Sequence, residues 1–429
     1  MRARTHGEDP SHPLPAAGQR QERHQEQRQP ASGTRLAQVD ALRGFALLGI
    51  LMVNITYMAS AYHGSGLEDP GLDGPVSETV RRLVAVFFEA KFFLLFSFLF
   101  GYSFTLQMDS ADRGGARFTP RFLRRLTGLF AFGVVHAVVL FPGDILTLYA
   151  VLGLVLLALR GLRPPTAVRV AVVLLVVTAV GYALLALGVG LTGGDDSIPP
   201  STAAAAAQTT EALRGGPASV IGAHLRDLPD MAFVLVFFQA PSAFAAFLLG
   251  LAAGRRRALA DADRHQRLLR RLQWAGFTVG LPGALVYADA SLNHAGSAYH
   301  LFAVSVDVIT APLLAAAYAA TVLRLVHGRH GRGVVAALAP AGRMSLTNYV
   351  GQSLVCALLF TGFGAALIGR VAPLGVAAIA LVLFAAQTVA SRWWLRRHAY
   401  GPLEWLLRAW TTLSVPPWRA RDEIRPPRP

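Results

Sequence analysis

Residues 39–54 read VDALRGFALLGILMVN, with an acid and a base at the mouth of an apolar run that closes on an amide. Crossing a hydrocarbon core of roughly 30 Å takes about 20 mostly apolar helical residues. This run qualifies, and others of similar length begin near residues 87, 122, 145, 168, 231, 272, 301, 345 and 371. The expectation is an all-α integral membrane protein, a polytopic bundle of about ten transmembrane helices. Inside that bundle, Asp40 and Arg43 stand on the threshold of the first helix and are neighbours on its surface, being three residues apart. Arg43 and Asn54 are eleven apart, which is three turns, so they share a face with about 16 Å between them.

Composition agrees with a membrane protein. The 429 residues are 53% hydrophobic and only 15% charged, against roughly 25% charged in soluble domains. The formal net charge of +15 does not indicate nucleic acid, because the basic residues lie at the ends of apolar runs. Basic clusters at 2–43, 113–125, 160–169, 255–271, 324–343 and after Arg392 alternate with acidic or neutral segments such as GLEDPGLDGP, PGD and TGGDDSIPP. That alternation puts both termini in the cytoplasm. Cys356 is the single cysteine, which excludes an internal disulfide and a cysteine-based metal site. Lys91 is the single lysine among many arginines, a bias that points to a GC-rich bacterial genome.

Residues 1–35 are polar, rich in Pro, Gln and Arg, and lack a signal-peptide core, so they read as a disordered cytoplasmic tail. Residues 36–400 form the bundle, with an external segment at about 193–230 that has room for one or two short surface helices. Residues 401–429 read as an interfacial amphipathic helix, GPLEWLLRAWTTL, followed by a cytoplasmic tail. Five of the six tryptophans fall between Trp393 and Trp418, and indole rings favour the membrane interface. No internal repeat is visible, which disfavours inverted-repeat transporters.

Four groups of residues can carry chemistry. Arg43 is either a snorkelling anchor or a binding group, while Asn54 suits an interhelical hydrogen bond. In FFEAKFFLLFSFLFGYSF, residues 87–104, Glu89 and Lys91 point to different sides of a helix, so each needs its own partner. In GVVHAVVLFPGDILTLYAVLG, residues 133–153, Pro142-Gly143 makes a turn that Asp144 follows as a helix cap. His136 lies within the apolar run before it, and an ionisable group at such depth marks a functional interior. With Glu89 or Asp144 to orient it, His136 can act as a general base. It has no second ligand at metal-site spacing, so no metal is expected. Finally, Ser345, Asn348, Tyr349, Gln352 and Cys356 recur at helical spacing beyond Arg343, as the wall of a cavity or as interhelical glue, with the cavity favoured.

The segments VDALRGFALLGILMVN, KFFLLFSFLFGYSF, HAVVLFPGDILTLYAVLG, GRMSLTNYVGQS and YGPLEWLLR, in this order, together resemble the YeiB-like membrane proteins, the domain-of-unknown-function 418 family. The first helix also resembles that of membrane acyltransferases of the acyltransferase-3 and heparan-α-glucosaminide acetyltransferase types. Those proteins move an acyl group from a cytoplasmic donor, often acyl-CoA, to an acceptor across the membrane. In the acyltransferase-3 pattern an Arg is followed, after ten residues, by a catalytic His. Arg43 matches the Arg, but Asn54 occupies the His position, so the resemblance requires a base elsewhere.

Three functions follow. An acyltransferase of the bacterial inner (plasma) membrane would bind donor phosphates through Arg43 and Arg343, with Asp40, Asn348, Tyr349 and Gln352 along the path. It would use His136 as base and Lys91 or Asn54 toward the oxyanion. It would hold no resident cofactor, acyl-CoA being a donor substrate. A transporter or flippase of an anionic metabolite or lipid would use the same path, and a non-catalytic scaffold would use it only to join helices.

Overall fold

The structure is a computed structural model that describes residues 32–115, 117–192, 200–259, 265–329 and 331–419. The expectations for residues 1–31, 193–199 and 420–429 lie outside the described residues. Helices follow in the order α1 (Ser32–Ala59), α2 (Pro75–Phe87), α3 (Lys91–Arg113), α4 (Phe118–Val139), α5 (Ile145–Ala158), α6 (Pro164–Leu191), α7 (Pro200–Arg214) and α8 (Pro217–Phe233). They continue with α9 (Ala240–Arg255), α10 (Gln266–Ala275), α11 (Leu281–Asn293), α12 (Ala298–His327), α13 (Gly331–Arg343), α14 (Ser345–Phe360), α15 (Pro373–Trp394) and α16 (Pro402–Thr412).

Seven helical stretches among the described residues are long and apolar enough to cross a membrane: 37–59, 75–113, 118–139, 164–191, 217–255, 298–327 and 373–394. The chain is a polytopic membrane protein. Three further apolar runs of the sequence fall on other helices. Those near 145 and 345 form α5 and α14, of 14 and 16 residues, about 21 and 24 Å long. The run near 272 falls on α10 and α11, joined end to end by the π-helical turn Gly276–Gly280.

Proline organises much of the helical punctuation. Helices α2, α6, α7, α8, α15 and α16 all begin on a proline, where the missing N–H is no loss. The two π-helical turns, Val234–Gln239 and Gly276–Gly280, each run into a proline, Pro241 and Pro282. A proline deletes one donor of the regular ladder, and a widened turn absorbs the defect.

Two helix crossings are pinned by backbone contact. On α3 and α9 the relation is reciprocal: a Cβ at Gly101 would strike the Phe247 carbonyl, and one at Gly250 the Phe98 carbonyl. On α1 and α13, Gly44 faces the Leu338 carbonyl and Gly342 faces that of Asp40. Small residues let helices approach this closely in lipid, where no hydrophobic force drives them together.

The antiparallel packing sorts the polar residues into two ends. Asp40, Arg43 and Arg343, with α16, lie at a basic end. The 60–74 loop, the break between α2 and α3, the start of α5 and the 361–372 loop lie at the opposite end. Helix α7 docks at that opposite end, where Arg214 donates to the Ile368 carbonyl at 3.0 Å from Nε. Helix α16 packs on α4 at the basic end, with Trp410 Nε1 2.9 Å from the Arg124 carbonyl.

Gly250→Ala is expected to destabilise the protein by about 1–3 kcal/mol through forced separation of α3 and α9. Gly161→Ala, with no atom near its Cβ position, should leave stability unchanged. Thermal unfolding in detergent compares the two.

Candidate functional site

The site grows from a break in the backbone. Between α2 and α3, Ala90 adopts φ +63° and ψ −31°, a conformation that strains a residue with a Cβ. The Lys91 N–H donates to the Glu89 carbonyl at 2.8 Å, closing a tight γ-turn of the strained kind. This single turn sends two charges, one on either side of Ala90, to different partners. Glu89 Oε1 lies 3.3 Å from His63 Nε2. Lys91 is fully buried, its Nζ 3.5 Å from Asp307 Oδ1 on α12 and 5.4 Å from the centroid of the Tyr287 ring on α11. Lys91 is therefore no snorkelling anchor.

These residues surround a cavity of about 530 Å³ at the end of the bundle opposite the arginines. Asn54, His63, Glu89, Tyr287, Asp307 and Tyr349 stand on its wall, and Ile50 marks its depth along α1. Asn54 makes no hydrogen bond to another described side chain and faces the cavity, where the sequence suggested interhelical glue. The His63 ring packs edge-on against Tyr57 with centroids 4.3 Å apart, and its Nε2 also lies 3.4 Å from Thr56 Oγ1. His63 and Glu89 also line an adjoining cavity of about 290 Å³ that contains Glu68, Asp69 and Arg81. Glu68 and Arg81 form an ion pair. Burial pushes the Asp69 carboxyl above its usual range, opposed by the Ser60 hydroxyl, His63 and Arg214.

His136 and Asp144 do come together, with Nδ1 3.1 Å from Oδ1. Nε2 lies 2.8 Å from Ser353 Oγ on α14, and Tyr349 stacks on the ring at 5.0 Å. Asp144 also caps α5, its Oδ2 accepting from the Thr147 N–H at 2.7 Å. The array has the residue types of a Ser–His–Asp triad, but His136 is 1% exposed and Asp144 0%. Tyr349 stands on the wall of the large cavity while His136 lies behind it. His136, the base expected from the sequence, is thus buried and does not stand on the cavity wall. Glu89 pairs with His63.

The α14 stripe divides. Tyr349 reaches the cavity, whereas Asn348 Nδ2 donates to the Ala341 carbonyl at 3.0 Å and to Ser391 Oγ at 2.9 Å. Gln352 Nε2 donates to Gln387 Oε1 at 2.9 Å. Asn348 and Gln352 therefore tie α14 to α13 and α15 and do not line the cavity, contrary to the favoured reading of the stripe.

At the basic end, Arg43 Nη1 donates to Asp40 Oδ1 at 2.8 Å and Nη2 to Ser103 Oγ at 2.5 Å. Arg343 is exposed nearby on α13. Along α1 the cavity residue Ile50 is seven residues from Arg43, about 10 Å. Between them Phe45 meets Phe92 at 5.2 Å and Tyr318 at 6.3 Å between ring centroids. Sequence reasoning missed His63, Tyr287 and Asp307. A lone acid in the apolar stretch of α12 was the available signal for Asp307.

Residues 253–414 match the family described as "Protein of unknown function (DUF418)". The uncharacterized protein YxaH of Bacillus subtilis (strain 168) is 32% identical over 414 residues, covering 91% of this chain and 97% of that protein. The chain belongs to the DUF418 family. Another similar protein is YeiB of Escherichia coli (strain K12), uncharacterized and 27% identical over 398 residues, which cover 88% of this chain and 97% of YeiB. An uncharacterized 39.9 kDa protein from the amylase 3' region of Bacillus acidopullulyticus is 28% identical over 389 residues, 88% of this chain and 94% of its own. No solved structure matches. In this DUF418 protein α1, α3 and the Val234–Gln239 turn line the cavity together with α11, α12 and α14, so residues outside 253–414 supply most of its wall.

Lys91→Ala should destabilise the protein by about 3–5 kcal/mol by stranding the Asp307 carboxylate. A Lys91→Met, Asp307→Leu double variant should recover most of that loss. Thermal unfolding of the two variants beside wild type measures both effects.

Proposed function

We propose that this protein is an acyltransferase of the bacterial plasma membrane, crossing the bilayer about ten times with both termini and the basic end in the cytoplasm. The alternation of basic and acidic loops along the chain supports that topology. The observation that carries the activity is the His63–Glu89 pair, 3.3 Å apart, on the wall of a cavity that also bears Asn54.

In this reading Arg43 and Arg343 meet the phosphates of an acyl-CoA-type donor at the basic end. The acyl chain passes the Phe45–Phe92–Tyr318 rings to reach the cavity, and the acceptor enters from the outer face. Glu89 accepts the Nε2 proton of His63 and leaves Nδ1 as the base. His63 takes the proton of an acceptor hydroxyl or amine as the new bond to the acyl carbon forms. The carbon–sulfur bond then breaks, and the proton returns to the thiolate. Asn54 offers its amide N–H groups to the tetrahedral oxyanion, a role open to it because its side chain is not tied to a neighbouring helix.

A transport reading draws on a different observation, the buried Lys91–Asp307 pair beside the same cavity. Paired ionisable groups inside a bundle also mark ion and substrate pathways.

Purified protein supplied with an acyl-CoA series and a cell-envelope extract as acceptor should release free thiol. His63→Ala should cut that rate by about 10²–10⁴-fold, yet retain the rise in melting temperature that donor binding confers. Arg43→Ala should lose the rise. Unchanged turnover in His63→Ala would reject the assigned base. Absence of thiol release and of any shift, with substrate flux in proteoliposomes, would favour transport.

A further inference from the structure

A separate cavity of about 290 Å³ opens at the basic end between α3, α4 and α16, and the acyl-transfer reading makes no use of it. Three arginines line it, Arg121 and Arg125 from α4 and Arg408 from α16. Glu404 is an opposite charge near Arg125 but makes no ion pair with it. The Nε of Arg125 is sealed from solvent without a hydrogen-bond partner, and none of the three forms an ion pair with a described carboxylate. Arg408 lies over the Tyr400 ring, 5.0 Å from its centroid.

The one carboxylate in the lining, Glu404, is committed elsewhere. Its Oε1 accepts from the Leu346 and Thr347 N–H groups at 2.7 and 3.1 Å, and its Oε2 from Thr347 Oγ1 at 2.5 Å. It caps α14, and burial raises its carboxyl above the usual range despite those hydrogen bonds. A sealed guanidinium nitrogen without an acceptor is costly, and the arginine fork matches the geometry of a phosphate group.

The surroundings say where that phosphate comes from. Leu406, Trp410 and Leu413 on and after α16 are 48%, 51% and 64% exposed. An apolar, tryptophan-bearing rim of this kind lies in the headgroup layer of a bilayer. A basic pocket opening there meets lipid headgroups before it meets solutes.

We propose that the Arg121–Arg125–Arg408 pocket holds the phosphate of an anionic phospholipid. The bound headgroup fastens α16 to α4 beside the Trp410–Arg124 contact. The proposal does not depend on acyl transfer, and its test uses no acyl donor.

The full chain is placed in lipid nanodiscs of phosphatidylcholine alone or with phosphatidylglycerol, and its melting temperature is followed with retained lipid counted by native mass spectrometry. Phosphatidylglycerol should raise the melting temperature and be retained. Arg125→Gln should weaken its retention about tenfold, as should Arg408→Gln, a surface change that leaves folding intact. Arg396→Gln, an exposed arginine outside the pocket, should behave as wild type. Equal melting in both lipids, or equal loss in Arg396→Gln, would overturn the proposal. So would inorganic phosphate giving the same protection in phosphatidylcholine discs, since the ligand would then be a soluble anion.

Discussion

Everything in this bundle depends on how closely its helices approach. Lipid tails solvate leucine as well as another leucine does, so apolar burial alone cannot hold membrane helices together. Contact therefore comes from dispersion between backbones, and that requires positions without side chains. Gly101 and Gly250 supply it for α3 and α9, and Gly44 and Gly342 for α1 and α13. The second crossing also fixes the register of Asp40 and Arg43, because the Asp40 carbonyl is the surface on which Gly342 rests. The first brings α3 against α9, and its neighbours Ser242 and Gln239 then face the large cavity.

On that frame the polar groups separate by a local event. Glu89 and Lys91 are two residues apart and of opposite sign, yet the turn at Ala90 prevents them from neutralising each other. Glu89 joins a histidine from the 60–74 loop, and Lys91 joins an acid from α12. The price of the turn is a strained backbone, and what it sets apart is two pairs, His63–Glu89 on the cavity wall and Lys91–Asp307 beside it. His136 shows the contrast. Its neighbours Asp144 and Ser353 bring α4, α5 and α14 together around a buried ring, away from the cavity wall.

The sequence made the spans legible wherever apolar residues ran unbroken, since length and hydropathy are local properties. Helix α2 escaped because Glu78, Arg81 and Arg82 interrupt it and its apolar residues occupy only one face. His63 escaped for a different reason. It sits in MASAYHGSGLEDP, a loop with no periodicity from which to infer an orientation. Asp307 stood in plain view within an apolar helix, but its partner lies 216 positions earlier, and nothing in either segment announces the other. The stripe on α14 was correctly seen as a stripe, while its division between helix joint and cavity wall depended on where α13 and α15 pack.

The short length of α5 and α14 has an electrical consequence. These two helices, about 21 and 24 Å long, fall short of the roughly 30 Å hydrocarbon core, and both contribute to the wall of the large cavity through Ile145 and Tyr349. The cavity reaches Ile50, which leaves only the stretch of α1 from Ile50 to Arg43, about 10 Å, as an insulating layer between it and the basic end. A transmembrane voltage drops mainly across such a layer, and each unit charge carried through 100 mV exchanges about 2.3 kcal/mol with it. Any anion that passes between the two ends of this protein therefore works with or against the membrane potential over a few helical turns, about the stretch from Arg43 to Ile50.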